Sequence, residues 1–223
     1  MNGRHELKYY INTIEYTLLR TRLRAVAKLD ENTDEDNGYY IVRSLYFDNY
    51  TDKAIIEKLS GASRREKFRL RYYNADTSYI IIEKKSKANK LCYKEKAIIT
   101  AEQCAALLTG KYDWLKTSET PLLMELYTKI RYQNLRPKNI VDYQREAYIY
   151  PVGNVRITFD SHIKTSNSVS GFLNPKLTTI PAANAIILEI KYDGFLPDII
   201  RDILQIGWRN QTEFSKYVVA RLV

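Results

Sequence analysis

Charged and apolar residues alternate along residues 4–11, so that Arg4, Glu6, Lys8 and Tyr10 share one side of an extended chain and His5, Leu7, Tyr9 and Ile11 the other. The same two-residue period returns at 39–47, 65–73, 79–87, 92–99, 139–149, 155–160 and 185–192, which predicts eight β-strands. Helical spacing fills several of the gaps. Asn12 or Thr13 caps a helix carrying Ile14, Leu18 and Val26 that runs to the acidic loop at 30–38. A short helix starts at Asp48-Asn49 and ends at Gly61. Thr100 followed by Gln103 forms a capping box for a helix over 101–109, and Thr120-Pro121 opens another over 122–132. Pro137 marks the exit from that helix, and Pro151-Val152-Gly153-Asn154 turns one strand into the next. Ser, Thr, Asn and Pro make 165–181 an irregular, mobile loop, and helices over 196–204 and 213–222 finish the chain. With no internal repeat and no linker, residues 1–223 are expected to form a single domain.

The polar faces of these strands agree. On one side fall Arg4, Glu6 and Lys8, then Arg69 and Arg71, then Glu83, Lys85 and Lys87, then Lys94 and Lys96. Tyr143 and Arg145, Arg156, Thr158 and Asp160, and Glu189 and Lys191 continue the series. The opposite side is mostly Leu, Ile, Val, Phe and Tyr, with mixed polar residues on 139–149. In an ordinary antiparallel sheet the polar side faces water, and for any single strand that reading suffices. Solvated faces usually mix Thr, Ser, Gln, Lys and Glu, whereas Arg and Lys recur here strand after strand. The expected fold is therefore α+β: an eight-stranded antiparallel closed β-barrel, its lumen lined by alternate residues and its helices packed outside.

Charge sharpens the picture. Between Arg64 and Lys96 there are eleven Lys or Arg against four acids, so this stretch holds +7 of the formal +9 of the 223-residue chain. Such a balance calls for an acidic partner: nucleic acid, an anionic membrane or a phosphorylated small molecule. The nineteen tyrosines fit strand packing. Cys92, Cys104, His5 and His162 lack the paired spacing of a zinc site, and two cysteines without a signal peptide point to a reducing cytoplasm. Apolar runs such as 185–188 fall far short of the roughly 20 residues needed to cross a bilayer, so a soluble protein without a transmembrane segment is expected. There is no Gly-rich loop ending in Lys-Ser/Thr, which excludes a P-loop nucleotide site.

A lumen lined by cations needs counter-ions, and a compact polyanion is the natural guest. Arg offers planar bidentate donors and Lys a point charge, both matched to phosphate oxygens. The carboxylates on the same face, Glu6, Glu83, Asp160 and Glu189, either hold a hard divalent cation such as Mg²⁺ or Mn²⁺ or balance the cations beside them.

Arg4-His5-Glu6-Leu7-Lys8-Tyr9, Ser44-Leu45-Tyr46-Phe47-Asp48, Lys67-Phe68-Arg69-Leu70-Arg71, Glu83 with Lys85, Tyr143-Gln144-Arg145, Arg156-Ile157-Thr158-Phe159-Asp160, Leu188-Glu189-Ile190-Lys191 and Phe214-Ser215-Lys216-Tyr217 occur in that order. The ordered set, which spans almost the whole chain, resembles the VTC domain, the catalytic domain of polyphosphate polymerases within the triphosphate tunnel metalloenzyme (CYTH-like) superfamily. The resemblance implies a tunnel that binds a triphosphate and a divalent metal, Mn²⁺ or Mg²⁺, and transfers the terminal phosphoryl group of ATP onto a growing polyphosphate chain. By motif, Lys8, Arg69, Arg71, Lys85 and Lys94 look like tunnel lining, as do Tyr143, Arg145 and Arg156, with Lys96, Lys191 and Ser215 beside them. Arg69, Arg71 and Lys216 look like the catalytic cations, and Glu189 with Glu6 like the metal ligands. The implied partners are ATP and inorganic polyphosphate or triphosphate, with no DNA expected and a membrane-protein partner left open.

Hydrolytic tunnel enzymes often open with Glu-x-Glu-x-Lys, whereas this chain reads Arg4-x-Glu6-x-Lys8. Loss of one carboxylate weakens a two-metal hydrolytic site and favours the polymerase branch. Two other activities stay open: hydrolysis of tripolyphosphate or a nucleoside triphosphate, and non-catalytic binding of polyphosphate or RNA. Replacing Arg69 or Arg71 by Ala is expected to abolish activity with little loss of fold.

Overall fold

The computed structural model describes residues 3–34, 36–88 and 91–223, so residues 1–2, 35 and 89–90 lie outside it. Every predicted strand is present. They are β1 (His5–Ile11), β3 (Tyr40–Asp48), β4 (Arg64–Tyr73), β5 (Asp76–Ala88), β6 (Leu91–Ile99), β7 (Arg136–Tyr150), β8 (Val155–Ser166) and β10 (Ile186–Tyr192). Two short strands, β2 (Lys28–Leu29) and β9 (Ile180–Ala183), pair with β7 and β8. The main path runs β1-β10-β8-β7-β3-β4-β5-β6 with antiparallel neighbours throughout.

The sheet curls until its two edge strands meet. They touch at one bridge, where Arg4 N donates to Cys92 O at 3.1 Å and Cys92 N to Arg4 O at 3.2 Å. The expected closed barrel is thus a curled sheet pinned at a point, because β1 and β6 share no continuous ladder.

The helices are α1 (Thr13–Arg24), α2 (Lys53–Leu59), α3 (Ala101–Leu108), α4 (Asp113–Lys116), α5 (Pro121–Tyr132), α6 (Asp198–Leu204) and α7 (Lys216–Arg221). Reciprocal capping boxes start α1, between Asn12 and Glu15, and α3, between Thr100 and Gln103. Outward residues of β3 to β5, among them Phe68, Leu70 and Ile82, bury against Cys104, Leu107 and Leu126 of α3 and α5. Outward residues of β1, β8 and β10 bury against Leu19 and Leu23 of α1 and Ile200 and Leu204 of α6. Even the polar outward positions of β7 find partners. Asp142 accepts two hydrogen bonds from Arg43 at 2.9 and 2.8 Å, and Glu146 accepts from Tyr16 and Arg20.

Not all helices pack outside. Helix α7 sits on the concave face, where Phe214, Tyr217 and Ala220 meet Val42, Tyr46, Val141, Ile163 and Ile187. The inward side of the sheet is therefore apolar at one end and charged at the other, and α7 fills the apolar end.

Other boundaries shift for local reasons. Strand β8 continues past Asp160 because His162, at φ 51°, absorbs an extra residue opposite Asp142 and Gln144 as a bulge. Pro137 lies inside β7 at another register shift, opposite Phe47. The segment expected to be a mobile loop is pinned. Phe172 is fully buried, its carbonyl accepts from Tyr72 Oη at 2.6 Å, and Asn174 O accepts from Arg43 at 2.6 Å. Helix α2 begins only after Asp52, which is left-handed at φ 53°, and α6 begins after Pro197. Residues 210–215 are non-helical and lie beside β1, with Thr212 N donating to Lys8 O at 2.8 Å, so Glu213 and Ser215 precede α7.

Candidate phosphate-binding tunnel

Alternation along β4 turns Lys67, Arg69 and Arg71 inward, and the register with β3 sets Tyr46 opposite Arg69 and Ser44 opposite Arg71. Arg71 donates from Nε to Ser44 Oγ and from Nη2 to the Tyr143 hydroxyl, each at 3.0 Å. On β5, Glu83 lies directly opposite Arg69 and is completely buried. It accepts from Arg69 Nε at 2.6 Å, lies 3.8 Å from Arg71 Nη1, and pairs with Lys94 on β6. Burial works against its ionisation, but Arg69, Arg71 and Lys94 outweigh that and hold the carboxyl well below the usual range.

The facing wall repeats this design. Asp160 of β8 accepts two hydrogen bonds from Arg145 of β7, at 2.6 and 2.7 Å, and pairs with Lys216 Nζ at 2.5 Å. Lys216 also sits 4.7 Å from the centroid of the Tyr143 ring, so α7 delivers one ammonium to the wall. Arg156 is held by Asp30 at 2.8 Å and donates to the Tyr40 hydroxyl at 3.0 Å.

Between these walls, Lys8 lies 2.7 Å from Glu6 and 3.4 Å from Glu189, and is raised above the usual lysine range because the two carboxylates outweigh burial. Lys85 pairs with Glu6 at 2.5 Å, and Lys191 with Glu189 at 2.5 Å. Burial opposes the charged forms of Glu6 and Glu189, yet the lysines keep both well below the carboxylate norm.

Together these strands and the α7 end enclose a cavity of about 310 Å³. Eleven Lys or Arg side chains and two carboxylates line it. Lys67 has no carboxylate within ion-pair distance among the described residues. It lies 5.5 Å from the Tyr46 ring centroid, and burial pulls its ammonium down to about 7. The Tyr46 hydroxyl moves the same way: burial would raise it, but Arg69, Lys67 and Arg71 lower it further.

The residues expected from sequence converge on this cavity with one exception. Lys8, Arg69, Arg71, Lys85, Lys94, Tyr143, Arg145, Arg156, Glu6, Glu189, Lys191, Ser215 and Lys216 all line it. Lys96 shares their alternation but is exposed and lies outside the lining. Of the four candidate metal carboxylates, Glu83 and Asp160 are consumed by Arg69 and Arg145 in direct register, which leaves them balancing charge. Arg4, where the hydrolytic pattern has an acid, pairs with Asp193 at 2.7 Å. Lys67, Tyr46 and Tyr40 also line the cavity; Lys67 and Tyr46 lie inside the ordered motifs but were not singled out as site residues.

Glu6 and Glu189 are the two carboxylates left facing the cavity, and each is paired with lysines, Glu6 with Lys8 and Lys85 and Glu189 with Lys8 and Lys191. The described residues contain no group of three or more His, Cys, Asp or Glu set to hold an ion. Mg²⁺ and similar hard cations are commonly held by one or two carboxylates, with substrate phosphates and water completing the shell.

Fold and site together define an antiparallel β-tunnel whose charged end is built to surround an anion. Among solved structures, one of similar fold is a protein from Bacillus halodurans described as a candidate adenylate cyclase, 13% identical, covering 94% of each chain at a TM-score of 0.53. A protein from Pyrococcus horikoshii OT3 (15% identical, 98% of each chain) and the Mimivirus capping enzyme triphosphatase (12% identical, 93% of this chain and 88% of that one) overlap at TM-scores of 0.48 and 0.39. Among curated proteins, none matches the sequence. The VTC domain profile matches residues 3–223, and the chain belongs to the VTC domain family.

Proposed function

We propose that this protein is a metal-dependent polyphosphate polymerase that transfers the terminal phosphoryl group of ATP onto a growing polyphosphate chain. The observation that carries the reading is the cavity itself: eleven cations around two carboxylates, in a chain that belongs to the VTC family. Phosphoryl transfer demands little covalent chemistry from a protein, so alignment and charge neutralisation do most of the work. Arg69, Arg71 and Arg145 are pre-set by Glu83 and Asp160 and so meet phosphate oxygens without reorganising. Lys216 approaches from α7, and the Tyr143 hydroxyl, which accepts from Arg71, keeps its own proton for a phosphate oxygen. Bound at Glu6 and Glu189, Mn²⁺ or Mg²⁺ would neutralise charge on the transferred group. The terminal oxygen of the chain attacks the γ-phosphorus, the bond to the bridging oxygen breaks, and ADP leaves.

The polymerase reading is favoured over hydrolysis by Arg4, which removes a carboxylate from the metal side and engages Asp193 instead. Incubation with ATP and Mn²⁺, with products resolved on a gel, tests this: a ladder of chains supports it, and orthophosphate without polymer selects the hydrolase. Absence of any turnover, with polyanion binding unaffected by Glu189→Ala, would instead indicate a binding module.

A further inference from the structure

Lys8, Lys67 and Lys85 face two spaces. One is the tunnel cavity, and the other is a smaller cavity of about 100 Å³ between α2, β4, β5 and the segment ahead of α7. Lys58 of α2, Arg65 of β4 and Lys87 of β5 project into this second space, and a single carboxylate, Glu213, meets all three. Glu213 pairs with Lys58 and lies 3.4 Å from Arg65 Nη2 and 3.7 Å from Lys87 Nζ.

The cations are built in and the carboxylate is not. The side chains of Lys58 and Arg65 are each 17% exposed, whereas that of Glu213 is 67% exposed. Arg65 is anchored independently, donating to Ala62 O at 2.9 Å. Glu213 belongs to a non-helical segment whose backbone is tied to Lys8 through Thr212 N and Phe214 O, so its side chain can swing into water without disturbing a helix. Glu6 and Glu66 also line this space but pair with Lys8 and Lys85 and with Lys84 and Lys129, so one mostly exposed carboxylate is left to face Lys58, Arg65 and Lys87. Burial, reinforced by Arg65 and Lys8, lowers Lys58 below the usual lysine range even with Glu213 beside it. An ion pair to so exposed a partner is weak and easily exchanged.

We propose that Lys58, Arg65 and Lys87 form a second anion subsite for a phosphate chain that extends from the tunnel cavity past Lys8, Lys67 and Lys85, and that Glu213 occupies this subsite until such a chain displaces it. The inference rests on the phosphate-tunnel reading and deepens it. A triphosphate held in the main cavity leaves Glu213 in place, whereas a longer chain competes with it. Glu213 therefore sets a selectivity for chain length that the main cavity does not.

Calorimetric titration of the full chain with inorganic tripolyphosphate and with long-chain polyphosphate, without nucleotide, tests this. Glu213→Gln should tighten long-chain binding about tenfold, and the double variant Lys58→Gln/Lys87→Gln should weaken it by a similar factor, with tripolyphosphate unchanged in both. A control pair at the exposed Lys111 and Lys116, both changed to Gln, should alter neither ligand. The subsite is overturned if long-chain affinity ignores Glu213→Gln, if both ligands shift together, or if the control pair weakens the long chain as much. If the unaltered protein binds long chains but not tripolyphosphate, or binds neither, the tunnel reading fails first and the subsite with it.

Discussion

Arg145 and Asp160 face each other across β7 and β8, and the guanidinium grips both carboxylate oxygens at 2.6 and 2.7 Å in a pocket where Asp160 has no exposure to solvent. The pair fixes the direction in which Arg145 points and, through Lys216, ties α7 to the tunnel wall. Removing one partner of such a buried pair leaves uncompensated charge. Asp160→Asn should therefore cost about 3 to 5 kcal/mol in denaturant unfolding, and a loss under about 1 kcal/mol would contradict the arrangement. The charges of Arg145 and Lys216 outweigh burial and lower the Asp160 carboxyl to about 2, so its contribution to stability is fully present above the ordinary aspartate range and is lost progressively as pH falls from about 4 through about 2.

The Glu83 cluster revises the expectation that Arg69→Ala spares the fold. Glu83 is fully buried and relies on Arg69 for its shortest hydrogen bond to a guanidinium. Arg69→Ala should lower stability by about 3 kcal/mol or more as well as abolish turnover. The double variant Arg69→Ala/Glu83→Gln should recover much of the stability but none of the activity, which thermal melts and a polymer assay read separately. Recovery of activity would sink the catalytic assignment.

Lys67 gives the tunnel a pH dependence opposite in sense to its carboxylates. Burial lowers its ammonium to about 7, so the folded chain holds fewer protons than the unfolded chain between there and the ordinary lysine range. A bound phosphate favours the charged form, so Lys67 takes up a proton from solvent on binding. Tripolyphosphate affinity should therefore weaken as pH rises from about 6 to about 9, and Lys67→Gln should flatten part of that slope. Identical slopes in the two proteins would show that Lys67 does not meet the phosphates.

Phe172 tests the segment between β8 and β9. It is completely buried beside Tyr72, with ring centroids 5.0 Å apart. Phe172→Ala should cost about 3 to 5 kcal/mol in chemical denaturation, whereas a loosely held loop would show almost no change.

The charged half of the tunnel was legible in the sequence because Arg or Lys falls at 65, 67, 69 and 71 of β4, at 85 and 87 of β5 and at 94 and 96 of β6, always on one face, a pattern that ordinary solvated strands dilute. Helix α7 inside the sheet was not. Val42, Val141, Ile163 and Ile187 share the inward face with the cations, but in sequence they read like any buried strand residue. Which carboxylates stay available was equally hidden. Glu83 and Asp160 are neutralised by the residues directly opposite them on neighbouring strands, and such registers depend on turns and bulges like the one at His162. The segment at 165–181 looked loose in composition, yet one aromatic and two carbonyls anchor it. Closure at Arg4 and Cys92 joins distant parts of the chain and leaves no local mark.

The central claim is that the cavity between Arg69, Arg71, Arg145 and Lys216 is where phosphate binds. A crystal of the protein soaked with tripolyphosphate and Mn²⁺ tests this most directly. The account predicts phosphate density inside the cavity, in contact with Arg69, Arg71 and Lys216, with the ion at Glu6 and Glu189. Density only on the outer surface, with the cavity holding solvent, would contradict it.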